Sequence, residues 1–254
     1  SFKPWKTVIR IMGGHLLKRK NIKAFFQTLW LKLSTRKYLH PNDPFNTFDW
    51  IMSTSEKYKL KSAFYFIAGH TDKRTDHEYN INNIIIRNLM IEMNKRGHEI
   101  GLHPSYGTYK KPELIKKEAN ALRLVLEKIK IKQETYGGRM HYLRWEHPVT
   151  MQAWEDAGMN YDTTLSYADR AGFRCGTCFE YTAFNPLTQK QLSLKIRPLI
   201  AMECTIIAEN YMNLAYSEKA LSKFLKLKNN CRKVNGCFTL LWHNSHFTHK
   251  ADFD

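Results

Sequence analysis

The stretch GHEIGLHPSY (97–106) decides the fold class, because in it a short buried strand is followed directly by a histidine. Glu99, Gly101 and His103 share one face of the predicted strand, and the apolar residues between them share the other face. That apolar face suits contact with helices. His103 then points away from the helices, to the inner face of the sheet at the end of its strand, where side chains can hold a metal ion.

Helices and strands alternate on both sides of this stretch, from residue 42 onward. The predicted strands are Lys61–Gly69, His98–His103, Tyr136–Leu143, Leu194–Cys204 and Cys237–His243, and helices are predicted at about 48–58, 82–96, 112–129, 151–157 and 217–227. This alternation predicts an α/β fold with a parallel sheet and outer helices, either an open doubly wound sheet or a barrel. We expect one domain over residues 42–254, preceded by a basic, partly helical segment over residues 1–41.

The composition suits a protein with one large core. The chain has 254 residues, of which 43% are hydrophobic and 25% are charged, and this excludes collagen-like, coiled-coil and disordered proteins. No apolar run approaches the roughly 18 to 20 residues of a transmembrane helix. Five cysteines, an odd number, and an N-terminal stretch without the features of a secretory signal predict a reducing, cytoplasmic location.

Residues 1–40 carry much of the positive charge. They contain ten Lys and Arg residues and no Asp or Glu, and the whole chain has a net charge of +17. Apolar residues recur among them at three- and four-residue spacing, which predicts a basic amphipathic helix: Ile22, Phe25, Phe26, Leu29, Trp30 and Leu33. We interpret this segment as an outer helix packed on the core, and peripheral contact with an anionic membrane is the alternative. No nucleic-acid-binding module accompanies the lysines, so we predict no nucleic-acid partner.

Histidines stand where three predicted strands end, namely His103, His141 and His243. The carboxyl ends of parallel strands converge on one edge of a sheet, so these side chains are expected to meet. By the two-residue period of a strand, Arg139 and His141 share a face. The pattern predicts a metal or acid–base site.

Two further polar segments draw attention. Cys175 and Cys178 form a CxxC pair, but without a second pair or a matched histidine we interpret them as structural thiols rather than a zinc site. Asp162, Asp169 and Arg170 lie in a predicted loop that is rich in polar and aromatic residues, as sugar-binding surfaces are.

Five segments together resemble the NodB-like polysaccharide deacetylases (carbohydrate esterase family 4), in the branch of capsule and O-antigen biosynthesis. They are YKLKSAFYFIAG (58–69), RGHEIGLHPSYGTY (96–109), GGRMHYLR (137–144), EDAGMNYDTTLSYADRAGFRCGTC (155–178) and LLWHNS (240–245), and they follow the family order over about residues 42–247. The resemblance implies a distorted (β/α) barrel. It also implies a divalent metal, usually zinc, and removal of acetyl groups from N-acetylated sugars.

The resemblance also assigns roles to individual residues. It implies that His103 is a metal ligand, Arg139 an orienting arginine and His243 the late catalytic histidine. The second histidine of the family's metal motif is replaced by Gly107, and His141 is our candidate substitute. The sugar substrate is expected to contact Tyr106, Tyr142, Asp162, Asp169, Arg170 and Trp242.

One departure concerns the family's paired aspartates, which end its first strand. Thr47–Trp50 (TFDW) imitates that motif, but its neighbours have helical spacing. We therefore expect the aspartates, and the strand they end, to precede Ser1, which leaves an open edge at Lys61–Gly69 or Cys237–His243. The substitute carboxylate to test first is Glu99, because it shares the face of His103.

Two functions compete on these grounds. The first is a metal-dependent deacetylase that hydrolyses the carbon–nitrogen amide bond of N-acetylated sugars in a surface polysaccharide. The second is a catalytically inactive relative that binds glycan or a membrane-associated partner. Without the paired aspartates, we expect the chain as given to bind metal weakly or not at all and to be nearly inactive.

Overall fold

The structure, a computed structural model, describes residues 4–35, 37–76 and 79–247. Its helices are α1 (Trp5–Leu17), α2 (Ile22–Ser34), α3 (Phe48–Lys57), α4 (Ile84–Lys95), α5 (Pro112–Lys128), α6 (Val149–Asp156), α7 (Glu203–Ile207) and α8 (Glu218–Lys233). Its strands are β1 (Ala63–Phe66), β2 (Glu99–Leu102), β3 (Gly137–Gly138), β4 (Tyr161–Asp162), β5 (Tyr181–Asn185), β6 (Lys190–Ile196), β7 (Ala201–Met202) and β8 (Leu240–Leu241). Short 3₁₀ turns cover Tyr106–Thr108, His141–Leu143 and Asn244–His246.

The principal sheet has six strands in the order β1-β2-β3-β4-β6-β5. Strands β1 to β4 and β6 run parallel, and β5 folds back antiparallel onto β6. A separate two-stranded sheet pairs β7 with β8 in parallel. The predicted α/β class with a mostly parallel sheet is therefore confirmed, and β1, the strand expected at an open edge, lies at one end of the principal sheet.

Local signals explain where the helices begin and end. The side chain of Asn83 accepts a hydrogen bond from the N–H of Ile85 at the start of α4, and Gly97 follows that helix with a φ of 79°. Pro112 occupies the first turn of α5, where its missing N–H costs nothing. Both helices match the predicted ranges closely.

All five predicted strands are longer than the observed ones, and two of them are also interrupted. Within the range Tyr136–Leu143 only β3 pairs, because the N–H of Met140 donates to Thr164 Oγ1 instead of extending the ladder. The following residues form a 3₁₀ turn in which Tyr142 has a φ of 57°. The prediction that Arg139 and His141 share one face of a strand is therefore wrong, because His141 lies on this turn. The predicted strand Leu194–Cys204 is likewise divided, because it spans the end of β6, all of β7 and the start of α7.

Two hydrophobic clusters support the sheets. The larger one packs α3 to α6 against the principal sheet, with Trp154, Met90 and Leu122 fully buried. The smaller one, which includes Ile206 and Leu227, joins α7 and α8 to the two-stranded sheet. The clusters hold the ends of both sheets in place, and the candidate site is built from those ends.

The C-terminal turn lies against the start of α3. Thr47 Oγ1 donates to the carbonyl oxygen of Asn244 over 2.9 Å, and Asn244 Nδ2 donates to the carbonyl oxygen of Phe45 over 3.1 Å. Asp49 lies on α3, is highly exposed and pairs with Arg96 at 2.6 Å. The interpretation of the TFDW segment as helix is confirmed.

Helices α1 and α2 form a hairpin that packs mainly on itself. Val8, Met12 and Leu31 are buried there, whereas Ile22 and Phe26 are 63% and 60% exposed. The prediction that this apolar stripe packs on the core is wrong, because a different face of α2 meets α1.

In the part of the chain that the structure describes, no helix combines the length and the apolarity needed to cross a membrane.

Candidate functional site

His103 and His141 meet beyond the carboxyl ends of β2 and β3, with ring centroids 4.8 Å apart. His103 follows β2 directly, and its Nδ1 lies 2.6 Å from the carbonyl oxygen of Arg139. His141 stands on the 3₁₀ turn after β3, and its Nδ1 lies 3.1 Å from Asp76 Oδ1. The two predicted metal ligands are therefore close neighbours, although a turn rather than a continuous strand brings His141 there.

Asp76 is the site residue that the sequence interpretation missed. Its buried carboxylate accepts hydrogen bonds from the backbone N–H groups of Thr71, Asp72 and Tyr106, each over 2.8 Å, and contacts His141. Burial opposes ionisation, but these bonds outweigh it and hold the pKa of Asp76 below its usual value. The available signal was its place in the loop after β1, at the same sheet edge as the histidines.

Glu99 does not take the role expected of it. Its carboxylate accepts a hydrogen bond from the hydroxyl of Tyr161, and burial raises the pKa of Glu99. The family's paired aspartates are expected before Ser1, and Asp76, which contacts His141 directly, is a different carboxylate that the sequence interpretation did not single out.

A second group of polar side chains lies where β7 and β8 end. Glu203 is buried at the start of α7, and its Oε1 accepts hydrogen bonds from the backbone N–H and the Nδ1 of His243. Nδ1 of His246 lies 3.0 Å from the same oxygen. Burial opposes ionisation of Glu203, but the two histidines outweigh it and lower its pKa to about 2. The carboxylate is therefore ionised and holds both rings.

This group could hold a metal ion. Glu203, Cys204, His243 and His246 each offer one ligand atom, and these atoms lie within 4.8 Å of one another. Oε2 of Glu203 is buried and has no hydrogen-bond partner among the described residues, so a cation there would satisfy it. Carboxylate, thiolate and imidazole are all zinc ligands. Sequence interpretation singled out only His243 of these four residues.

Electrostatic interactions link the two groups. Burial, together with the nearby charges of His141 and His243, lowers the pKa of His103 to about 3. His103 is therefore neutral near neutral pH, as a metal ligand must be.

Arg139 is buried, and its Nε donates to the carbonyl oxygen of Thr163 over 2.9 Å. It orients His103 through its own carbonyl oxygen rather than through its guanidinium.

Aromatic rings form a wall beside His141. Tyr106 and Tyr142 lie edge to face at 5.4 Å, and the Tyr142 ring is 4.8 Å from that of His141. The guanidinium of Arg144 stacks 4.0 Å from the Tyr106 ring and donates to the carbonyl oxygen of Tyr106. Tyr142 is largely exposed, so an apolar sugar face could pack on it.

The other predicted substrate contacts do not join this wall. Asp162 lies on β4 and is fully buried, so the prediction that it lies in a sugar-binding loop is wrong. Asp169 and Arg170 are exposed and pair with each other at 2.8 Å. Trp242 stacks with Phe224 and Phe247 and so belongs to the packing of the small sheet.

The two cysteines of the CxxC pair have separate surroundings. Cys178 is buried and interacts with Cys231, whose pKa is raised to about 12 by burial and by Cys178. Cys175 interacts with Tyr181 instead. This separation agrees with the interpretation of the pair as structural thiols.

Asp162 should make stability depend on pH. Burial raises its pKa to about 7, against the opposing hydrogen bonds from Thr164, whereas an unfolded aspartate titrates at about 3.9. Between these values the folded chain keeps a proton that the unfolded chain has lost, so the free energy of unfolding falls as the pH rises, by at most about 1.4 kcal/mol per pH unit. Urea unfolding of wild type and Asp162→Asn across this range should show a slope that the variant lacks. Parallel curves would contradict the assignment.

The sequence of the chain matches no protein-family model, and it has no significant match among curated proteins.

Proposed function

We propose that the chain is a metal-dependent hydrolase that removes N-acetyl groups from the sugars of a surface polysaccharide, on a barrel of the NodB-like type. One observation carries the proposal. His103, His141 and His243 each direct Nδ1 at a fixed acceptor, namely the carbonyl oxygen of Arg139, the carboxylate of Asp76 and the carboxylate of Glu203.

This arrangement determines the chemistry of the rings. A carbonyl oxygen or an ionised carboxylate can only accept, so Nδ1 carries the proton in each imidazole. In a neutral ring the lone pair then lies on Nε2. Histidines that bind metals or transfer protons are commonly oriented in this way by a second group behind the ring. Three rings oriented in this way, two of them with centroids 4.8 Å apart, favour a catalytic role over a structural one.

We assign His103 and His141 as the residues that would hold a divalent metal, with zinc as the expected ion. Their rings are neighbours, with centroids 4.8 Å apart, and Asp76 contacts Nδ1 of His141 and so orients that ring. A bound ion of this kind supplies Lewis acidity to the acetyl carbonyl and to water. Arg139 positions His103 through its carbonyl oxygen and is not itself placed on the substrate.

Proton transfer is assigned to His243, with Glu203 behind it. Neutral His243 can take a proton from the attacking water and deliver it to the departing amine, while ionised Glu203 stabilises the charged ring in between. The expectation of near inactivity depended on the absence of the family's paired aspartates. Because Asp76 and Glu203 contact site histidines, we propose an active enzyme.

All five cysteines are free thiols, which suits the cytoplasmic location that we expect.

A non-catalytic glycan-binding protein is the second candidate. It is favoured by the hydrogen bonding of Asp76, whose carboxylate already accepts from three backbone N–H groups and contacts His141. A carboxylate with so many donors is a poor base. In this case the Tyr106 and Tyr142 wall would bind the sugar without hydrolysis.

Acetate release tests the proposal. Purified protein is stripped with a chelator, reloaded with zinc and incubated with a panel of N-acetylated saccharides. We expect zinc-dependent acetate release, and a loss of about 10- to 100-fold in zinc affinity or activity for His141→Asn and for Asp76→Asn. His147→Asn, at an exposed position, is the matched control and should behave as wild type. Sugar binding by the zinc-loaded protein without any acetate release would favour the non-catalytic candidate.

A further inference from the structure

The α1–α2 hairpin presents an apolar surface that the described part of the chain leaves uncovered. Four large residues follow one stripe of α2 and are each more than half exposed: Ile22, Phe26, Trp30 and Leu33. Leu17, at the end of α1, is 84% exposed. Scattered apolar residues are common on surfaces, but a continuous stripe of this size marks a binding surface.

Positive charge surrounds this stripe. The tip between the helices has the sequence LLKRKNIK (16–23), and its four basic residues Lys18, Arg19, Lys20 and Lys23 are all exposed. No Asp or Glu occurs before Asp43. The surface therefore joins exposed apolar side chains to a charge of one sign.

These two properties together select one kind of partner. A second copy of the hairpin would bring like charges together, which disfavours self-association through this face. Nucleic acid would satisfy the charge but would leave the apolar stripe in water. An anionic lipid surface accepts both, because apolar side chains enter the acyl boundary while lysine and arginine contact the headgroups.

We propose that the α1–α2 hairpin docks the protein on an anionic phospholipid membrane, with the tip at residues 16–23 and the α2 stripe facing the lipid. The hairpin lies in the interface and does not cross it. The proposal is independent of the deacetylase activity, since it uses no residue of the candidate site.

Vesicle sedimentation tests the proposal with the full chain. The probes are vesicles of phosphatidylcholine alone and of phosphatidylcholine mixed with an equal amount of phosphatidylglycerol. We expect binding to the anionic vesicles only, and weaker binding at higher salt. Each exposed basic residue is expected to contribute about fivefold to partitioning. Combined substitution of Lys18, Arg19, Lys20 and Lys23 by Gln should therefore lower partitioning by more than about a hundredfold, because the four factors multiply.

Matched variants distinguish lipid binding by this surface from nonspecific binding to vesicles. Leu17→Gln, Ile22→Gln and Phe26→Gln together should also abolish binding to anionic vesicles. The same number of changes elsewhere should not, and suitable exposed positions are Lys219, Lys226, Lys228 and Lys233 for charge and Leu124, Leu187 and Leu221 for apolar contact. Unchanged vesicle binding by both hairpin variants would overturn the proposal. So would a lipid-free dimer that the apolar variant dissociates.

Discussion

Gly138→Ala is expected to destabilise the protein by at least about 3 kcal/mol, a large part of the 5–15 kcal/mol typical of a folded domain. A Cβ at this position would lie 1.9 Å from the carbonyl oxygen of Leu102 and 2.9 Å from the ring of Trp154. The first of these atoms belongs to the backbone of β2, so no side-chain rotation relieves the overlap. Strands β2 and β3 would have to separate where Leu102 pairs with Gly138.

Urea unfolding measures this effect, and the chain offers a matched control. Gly14 lies within α1, and a Cβ there would meet no heavy atom within 4 Å. Gly14→Ala should therefore stabilise the hairpin helix by about 0.5–1 kcal/mol, because alanine loses less backbone entropy in a helix. If Gly138→Ala gave well-folded protein with the urea midpoint of wild type, the close approach of β2 and β3 would be wrong.

His243→Asn is expected to lower kcat for acetate release by about 10²- to 10⁴-fold, as removal of a general acid–base group does. Glu203→Gln should have an effect in the same range, because it removes the carboxylate that holds the ring of His243. The double variant should be scarcely worse than His243→Asn, since the two residues act as one unit. Zinc content should remain that of wild type in both single variants if the metal lies at His103 and His141.

Cys204→Ser and His246→Asn are the discriminating controls. Both residues touch the Glu203 group, with Cys204 Sγ 3.3 Å from Nδ1 of His246, but neither is assigned a catalytic role. Both variants should retain catalytic zinc and activity. Joint loss of zinc and of acetate release in these two variants would place the catalytic metal among Glu203, Cys204, His243 and His246, and would contradict the role of His243 in proton transfer.

Helices α3 to α6 were predicted close to their observed ranges, because their signals are local. A cap at Asn83, a glycine at position 97 and a proline at position 112 act within one turn of the chain, and each is visible in the sequence. The apolar periodicity of α5 likewise requires no knowledge of its partners. The same reasoning failed for α2, since an apolar stripe has the same period whether it meets a core, another helix or lipid.

The site was predicted only in part, because its carboxylates come from distant segments. Asp76 is 65 residues from His141, and Glu203 is 40 residues from His243. In sequence, Asp76 lies in a polar loop like any solvated one, and Glu203 lies within a range predicted as strand. Nothing local distinguishes such a carboxylate from an exposed one.

The sequence by itself determined the α/β class with a parallel sheet, the order of helices and strands along the chain, and the position of His103 at the end of a strand. Those features depend on hydrophobic period and on caps, which act between near neighbours. Tertiary structure decided which carboxylate stands behind each histidine, and it decided that Asp162 is buried and that the α2 stripe is exposed. These outcomes depend on long-range packing, where strand pairing and turns bring together groups that no local pattern relates.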